Sequence, residues 1–173
     1  MKKLGLILII TVLLLTVTAC EKENKPVENN KGNNTTTDKT QIHEHCVRAG
    51  NISDDNSSVD LSYEIYYTGE KLNRIESTEK VTSTNESVLN EYEQAYRTIH
   101  SYYEDVDYYY TEVIRKSDSV TSKMVIDYDH VDAAKLMAME GTENNVFDEN
   151  GVATIAKYRE MAKKFGVSCT QVS

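Results

Sequence analysis

The chain has 173 residues, 28 acidic against 19 basic side chains, twelve Tyr, two Phe, no Trp and three Cys. Clustered Lys and Arg are what phosphate binding requires, so this acidic balance argues against nucleic acid as a partner. Three cysteines exclude a disulfide-dense miniprotein and a zinc-ribbon array.

The chain opens on Met1-Lys2-Lys3, a short positive stretch, and Leu4–Val17 is uncharged and almost wholly apolar. That run is shorter than the roughly 20 residues a spanning helix needs and matches a secretory h-region. Val17-Thr18-Ala19-Cys20 follows and resembles the lipobox of bacterial lipoprotein signal peptides. The resemblance implies cleavage before Cys20 and a thioether-linked diacylglycerol on its sulfur, with acyl chains such as palmitate holding the protein at the membrane. Two chains suffice for stable anchoring, because each buried CH₂ contributes roughly 0.8 kcal/mol. Residues 1–19 are therefore expected to be a signal peptide. Residues 20–45 read as a lipidated Cys and a disordered tether, rich in Asn, Thr, Lys and Glu and too poor in aliphatics to offset chain entropy.

Residues 46–173 have the length of one domain. Val59, Leu61, Tyr63, Ile65 and Tyr67 alternate as in a half-buried strand, and Thr68-Gly69-Glu70-Lys71 supplies a turn into a return strand over about 72–82. Ser83 and Glu86 have the spacing of a capping box. Val88, Tyr92, Ala95, Ile99 and Tyr102 then mark one face of a helix. A second hairpin is predicted from about 106–115 and 120–128. A short helix over about 130–139 follows, and then a final helix capped by Asp148, carrying Val152, Ile155, Tyr158, Ala162 and Phe165, and closed by Gly166. Hairpins separated by helices predict an α+β fold: an antiparallel sheet built from two hairpins, packed against one long and one or two shorter helices.

This order of segments resembles the YehR-like small bacterial lipoproteins, a family around a domain of unknown function. The resemblance is carried by Tyr67-Thr68-Gly69-Glu70-Lys71-Leu72, the amphipathic helix after it, and Ile126-Asp127-Tyr128 leading into a helix with Asp132 and Leu136. A start near Cys46-Val47-Arg48 and an end near Gly166-Val167-Ser168-Cys169 are similar to a Gram-positive branch with a cysteine pair. The likeness implies an α+β fold and an extracytoplasmic location. It brings no catalytic residue.

Once Cys20 is taken by lipid, Cys46 and Cys169 remain, and an even pair outside the membrane suggests a disulfide. Bridging them requires the two ends of the domain to be neighbours, as adjacent strands of the sheet. His43-Glu44-His45-Cys46, with His130, gathers metal-ligating side chain types. A zinc site needs ligands fixed in tetrahedral geometry. Ligands on the loose end of a tether, with the Cys oxidised, do not meet that need, so no metal and no cofactor are expected. Tyr108, Tyr109 and Tyr110 are the candidates for ligand contact, since neighbouring strand residues face opposite ways and exposed Tyr can hold a sugar or peptide. Acidic runs at 104–107 and 127–129 lack the calcium-loop pattern and read as a solvated face. Motifs of nucleophilic, zinc-protease, P-loop and dinucleotide chemistry are absent from the sequence. The expected function is a non-catalytic binding or interaction module at the cell envelope, held by its N-terminal lipid and meeting an envelope protein or small ligand. The alternative is an envelope-acting hydrolase or transferase with a dispersed site.

Overall fold

The computed structural model describes residues 40–48, 57–141 and 145–173. The signal peptide, Cys20 and the tether up to residue 39 lie outside the described residues. Among the described residues no helix is long and apolar enough to cross a membrane.

Six strands form one open antiparallel sheet: β1 (Gln41–Arg48), β2 (Ser57–Thr68), β3 (Lys71–Ser83), β4 (Tyr109–Arg115), β5 (Ser119–Asp127) and β6 (Val167–Gln171). Their spatial order is β4-β5-β3-β2-β1-β6. The sheet is thus larger than two hairpins. β1 pairs with β2 on one side and β6 on the other, which carries the C-terminal strand back beside the first. This also corrects the expected boundary at Cys46. Gln41–His45 are strand, because each finds a partner on β2 and so satisfies its backbone in a ladder.

β2 and β3 meet across Gly69-Glu70, with Gly69 at φ +63° in the first central position, where a tight hairpin loop calls for glycine. Val59, Ile65 and Tyr67 of β2 point inward with Ile75 and Val81 of β3, and the helices cover that face. α1 (Glu86–Ser101) packs across β3, β4 and β5. Its N-cap is Asn85, whose side chain accepts from the Ser87 amide at 3.0 Å; Ser83 instead accepts from the Asn85 amide. The cap therefore lies two residues beyond the predicted one, since Ser83 is still paired in β3. Tyr102 stands past the end of α1 and is exposed, so it leaves the predicted apolar face.

β4 begins at Tyr109, three residues later than predicted, because Tyr103–Val106 and Val106–Tyr109 close two turns by backbone bonds. α2 (Ala133–Glu140) is capped by Asp132, which accepts from the Lys135 amide. α3 (Ile155–Lys164) is capped by Thr154 and not by Asp148. Asp148 accepts from the Asn150 and Val152 amides and shapes the loop before the helix; Val152 and Phe165 are exposed. Gly166 takes φ +67° after the helix, the left-handed stop that favours glycine, and β6 follows directly.

The interior has two parts. The larger joins Ile65, Leu72, Ile75, Ile126, Leu136, Phe147 and Tyr158 beneath α2 and α3. The smaller joins Val59, Val81, Leu89, Tyr96 and Val120 beneath α1.

Candidate functional site

In β1, alternation divides the ligand-type stretch at 43–46 between the two faces of the sheet. Glu44 and Cys46 face the helices and are buried. Glu44 accepts from the Tyr67 hydroxyl and from Arg159 of α3, both at 2.8 Å, and the Arg159 guanidinium lies 5.5 Å from the Tyr67 ring centre. Cys46 lies directly opposite Cys169 of β6, and their sulfurs are bonded. Their Cα atoms are 4.0 Å apart, below the usual disulfide range. His43 takes a backbone bond from Val172, and counting alternate pairs along the ladder puts Cys46 and Cys169 at a non-hydrogen-bonded pair, where antiparallel backbones approach most closely.

His43 and His45 face the other way, and a carboxylate meets them from β2. Glu64 is directly opposite His45. His43 Nε2 is 2.6 Å from Glu64 Oε2, and His45 Nδ1 is 2.6 Å from Glu64 Oε1. The Tyr66 ring stacks on His43 at 4.4 Å and 9°. Burial alone would raise the Glu64 carboxyl, but the bonds from His45 and His43 outweigh it and hold it below its ordinary value. His130 is not part of this group: it bonds Asp127 at 2.8 Å and stacks on Tyr108. Sequence reading set these histidines on a loose tether with Glu44, Cys46 and His130; they stand instead on an ordered strand with Glu64 as their partner. Glu64 had no sequence signal, because it lies 19 residues beyond His45 and only strand register joins them.

The tyrosine run divides, and burial removes Tyr109 from the ligand-contact candidates; alternation separates Tyr109 from Tyr110 within β4, while Tyr108 stands before the strand. Tyr109 is buried and stacks on Tyr103 at 4.3 Å, while Tyr108 and Tyr110 are exposed. Tyr108 has φ +64°, a left-handed backbone that side chains other than glycine seldom adopt. Burial pushes the Tyr103 hydroxyl up to about 12.

A model of a protein family matches no part of the chain, and no curated protein matches it. Among solved structures, the NMR structure of Escherichia coli YehR is similar over 78% of this chain and 94% of its own, with a TM-score of 0.57 and 13% identity. The fold is YehR-like. The NMR structure of a Streptococcus pneumoniae TIGR4 protein also matches, over 91% of this chain and 98% of its own, at 16% identity and a TM-score of 0.44.

In this YehR-like fold the two segments that carry the sequence resemblance are neighbours in space. Lys71 and Asn73, from the turn and strand of the first segment, both reach Asp129 just beyond the second, at 2.6 Å and 3.1 Å. Thr68 donates to Asn73 at 2.8 Å, and the Tyr128 amide donates to the Asn73 carbonyl. Burial would raise the Asp129 carboxyl, but the bonds from Lys71 and Asn73 prevail and lower it. This network ties the β2–β3 turn to the end of β5 and accounts for its residues structurally.

Two further half-buried carboxylates had no sequence signal. Glu79, on the helix-covered face, takes a bond from the Tyr96 hydroxyl at 2.9 Å, and burial raises its carboxyl. Glu140, at the end of α2, is raised to about 7 by burial.

Proposed function

We propose that the protein is a lipid-anchored, extracytoplasmic binding module: Cys20 carries the lipid, and the YehR-like domain meets an envelope protein or small ligand without catalysing a reaction. The observation that carries this reading is the Cys46–Cys169 bond. Such bonds persist in oxidising compartments, and this one fastens β1, the strand nearest the membrane end of the chain, to the last strand. It joins the lipobox-like Val17-Thr18-Ala19-Cys20 in pointing outside the cytoplasm. The exposed Tyr108, stacked on His130, and the exposed Tyr110 are the contact surface we assign to the partner.

The test is the anchor. In a Gram-positive bacterium, wild-type protein should incorporate labelled palmitate and sediment with membranes. Cys20→Ser should lose the label and accumulate as precursor or be released. A serine variant that is processed and retained normally would overturn the reading.

A further inference from the structure

We propose that His43, His45 and Glu64 form a surface site for one late first-row divalent cation, of which Zn²⁺ is the best fit. The site is independent of how the protein is anchored. Residues two apart on a strand share a face, so His43 and His45 stand side by side on the side of the sheet away from the helices. The third group comes from the adjacent strand: Glu64 is directly opposite His45 and diagonal to His43, within side-chain reach of both. Both ring nitrogens converge on its carboxylate at 2.6 Å.

The donor set is two imidazole nitrogens and a carboxylate oxygen, which suits a borderline cation and is too nitrogen-rich for Mg²⁺ or Ca²⁺. With both imidazoles neutral, the trio carries one negative charge. Arg74, a cation on the same side of the sheet, is engaged by Glu76 at 2.9 Å, which leaves the Glu64 carboxylate to the histidines. Donors bound at about 2.0–2.1 Å in a tetrahedral site stand roughly 3.3 Å from one another, so each histidine needs to part from Glu64 by less than about 1 Å while the two ring nitrogens, which meet different carboxylate oxygens, turn toward one another. Side-chain rotation supplies that.

The footing is rigid. β1 is paired on both sides, the residue after His45 is the disulfide-bonded Cys46, and the Tyr66 ring holds the His43 imidazole flat. Side-chain exposures of 32%, 43% and 35% leave the donors open to solvent, and three protein ligands leave a fourth position for water or a group from a partner. The competing account is that the two histidines merely hydrogen-bond the carboxylate.

Titration of the full chain in detergent with zinc chloride near neutral pH, with magnesium chloride in parallel, separates the two accounts. One equivalent of Zn²⁺ should bind, and Mg²⁺ should not. His43→Ala, His45→Ala and Glu64→Gln should each weaken binding by at least the ~10-fold that even an outer-shell change costs a metal site. His130→Ala should leave it unchanged. In the wild-type chain, zinc should shift the ring resonances of His43 and His45 and spare those of His100 and His130, a readout that does not depend on any variant folding. Absence of zinc binding, equal binding of magnesium, or zinc that shifts neither His43 nor His45 would overturn the site.

Discussion

Glu44 and Glu64 sit on neighbouring, paired strands and meet opposite fates. Glu44 points under the helices, is 8% exposed, and is held by Tyr67 and by Arg159 from α3. Glu64 points to the other side, keeps a third of its side chain in solvent, and meets only histidines among its ion-pair partners in the described residues. The difference is a matter of pleat direction. A carboxylate turned inward must be paired to be tolerated, so it becomes structural; one turned outward needs no partner for stability and is free for chemistry. The same division runs through the adjoining pairs: Cys46 is bonded inside the fold, and His45 beside it is outside.

The largest effect should come from the inward set. Cys46 and Cys169 are 123 residues apart in sequence, and closing a loop of that length stabilises by roughly 5 kcal/mol in the chain-entropy model. Replacing both by Ser should lower the melting temperature by at least several degrees and leave the far-ultraviolet circular dichroism unchanged. A melting temperature equal to that of the oxidised wild type would mean that β1 and β6 are held without the bond.

Exchanging the two carboxylates for alanine breaks the comparison directly. Glu44→Ala leaves a buried Tyr67 hydroxyl without its acceptor and removes the Arg159 partner, which should cost about 1–3 kcal/mol in urea unfolding. Glu64→Ala, on the solvent side, should cost under about 1 kcal/mol. Equal losses would show that pleat direction does not govern the two sites.

A third carboxylate sharpens the lesson with pH. Glu140, at the end of α2, is half-buried, and the loss of solvent around it raises its carboxyl from 4.5 to about 7. A raised carboxyl favours folding while protonated, so its contribution is full below about pH 4.5 and is lost as pH climbs through 7. Glu140→Gln should match wild type in stability at low pH and exceed it above pH 7, by on the order of 1 kcal/mol. A constant difference across that window would place the charge in solvent.

Much of the fold was legible because short-range pattern and burial agree. The alternation in β2, the glycine turn at Gly69 and the stop at Gly166 stand where the residues put them, whereas the predicted helix faces hold in part: Tyr102, Val152 and Phe165 are exposed, and α1 buries Leu89 and Tyr96. Caps were harder: Ser83 and Asp148 have the right chemistry, but tertiary pairing of β3 and the loop through Asn150 used them first, and Asn85 and Thr154 cap instead. The start of the domain was misjudged because Gln41–His45 are polar and read as tether. Largely polar residues make a strand when a ladder satisfies the backbone, here β2 along 41–45 with β6 joining from Glu44.

The sequence by itself determined the α+β character, the helix and strand periods, and the chemical reason for two of the three cysteines to pair. These follow from properties that repeat every two or 3.6 residues, or from counting. Only the tertiary structure decided that β1 and β6 are neighbours, that Asp129 gathers Lys71 and Asn73, and that Glu64 completes a trio with His43 and His45. Those facts depend on strand order and register, which bring together residues that the chain separates by as few as 19 positions and, at Glu44 and Gln171, by 127, and no local pattern encodes such a pairing.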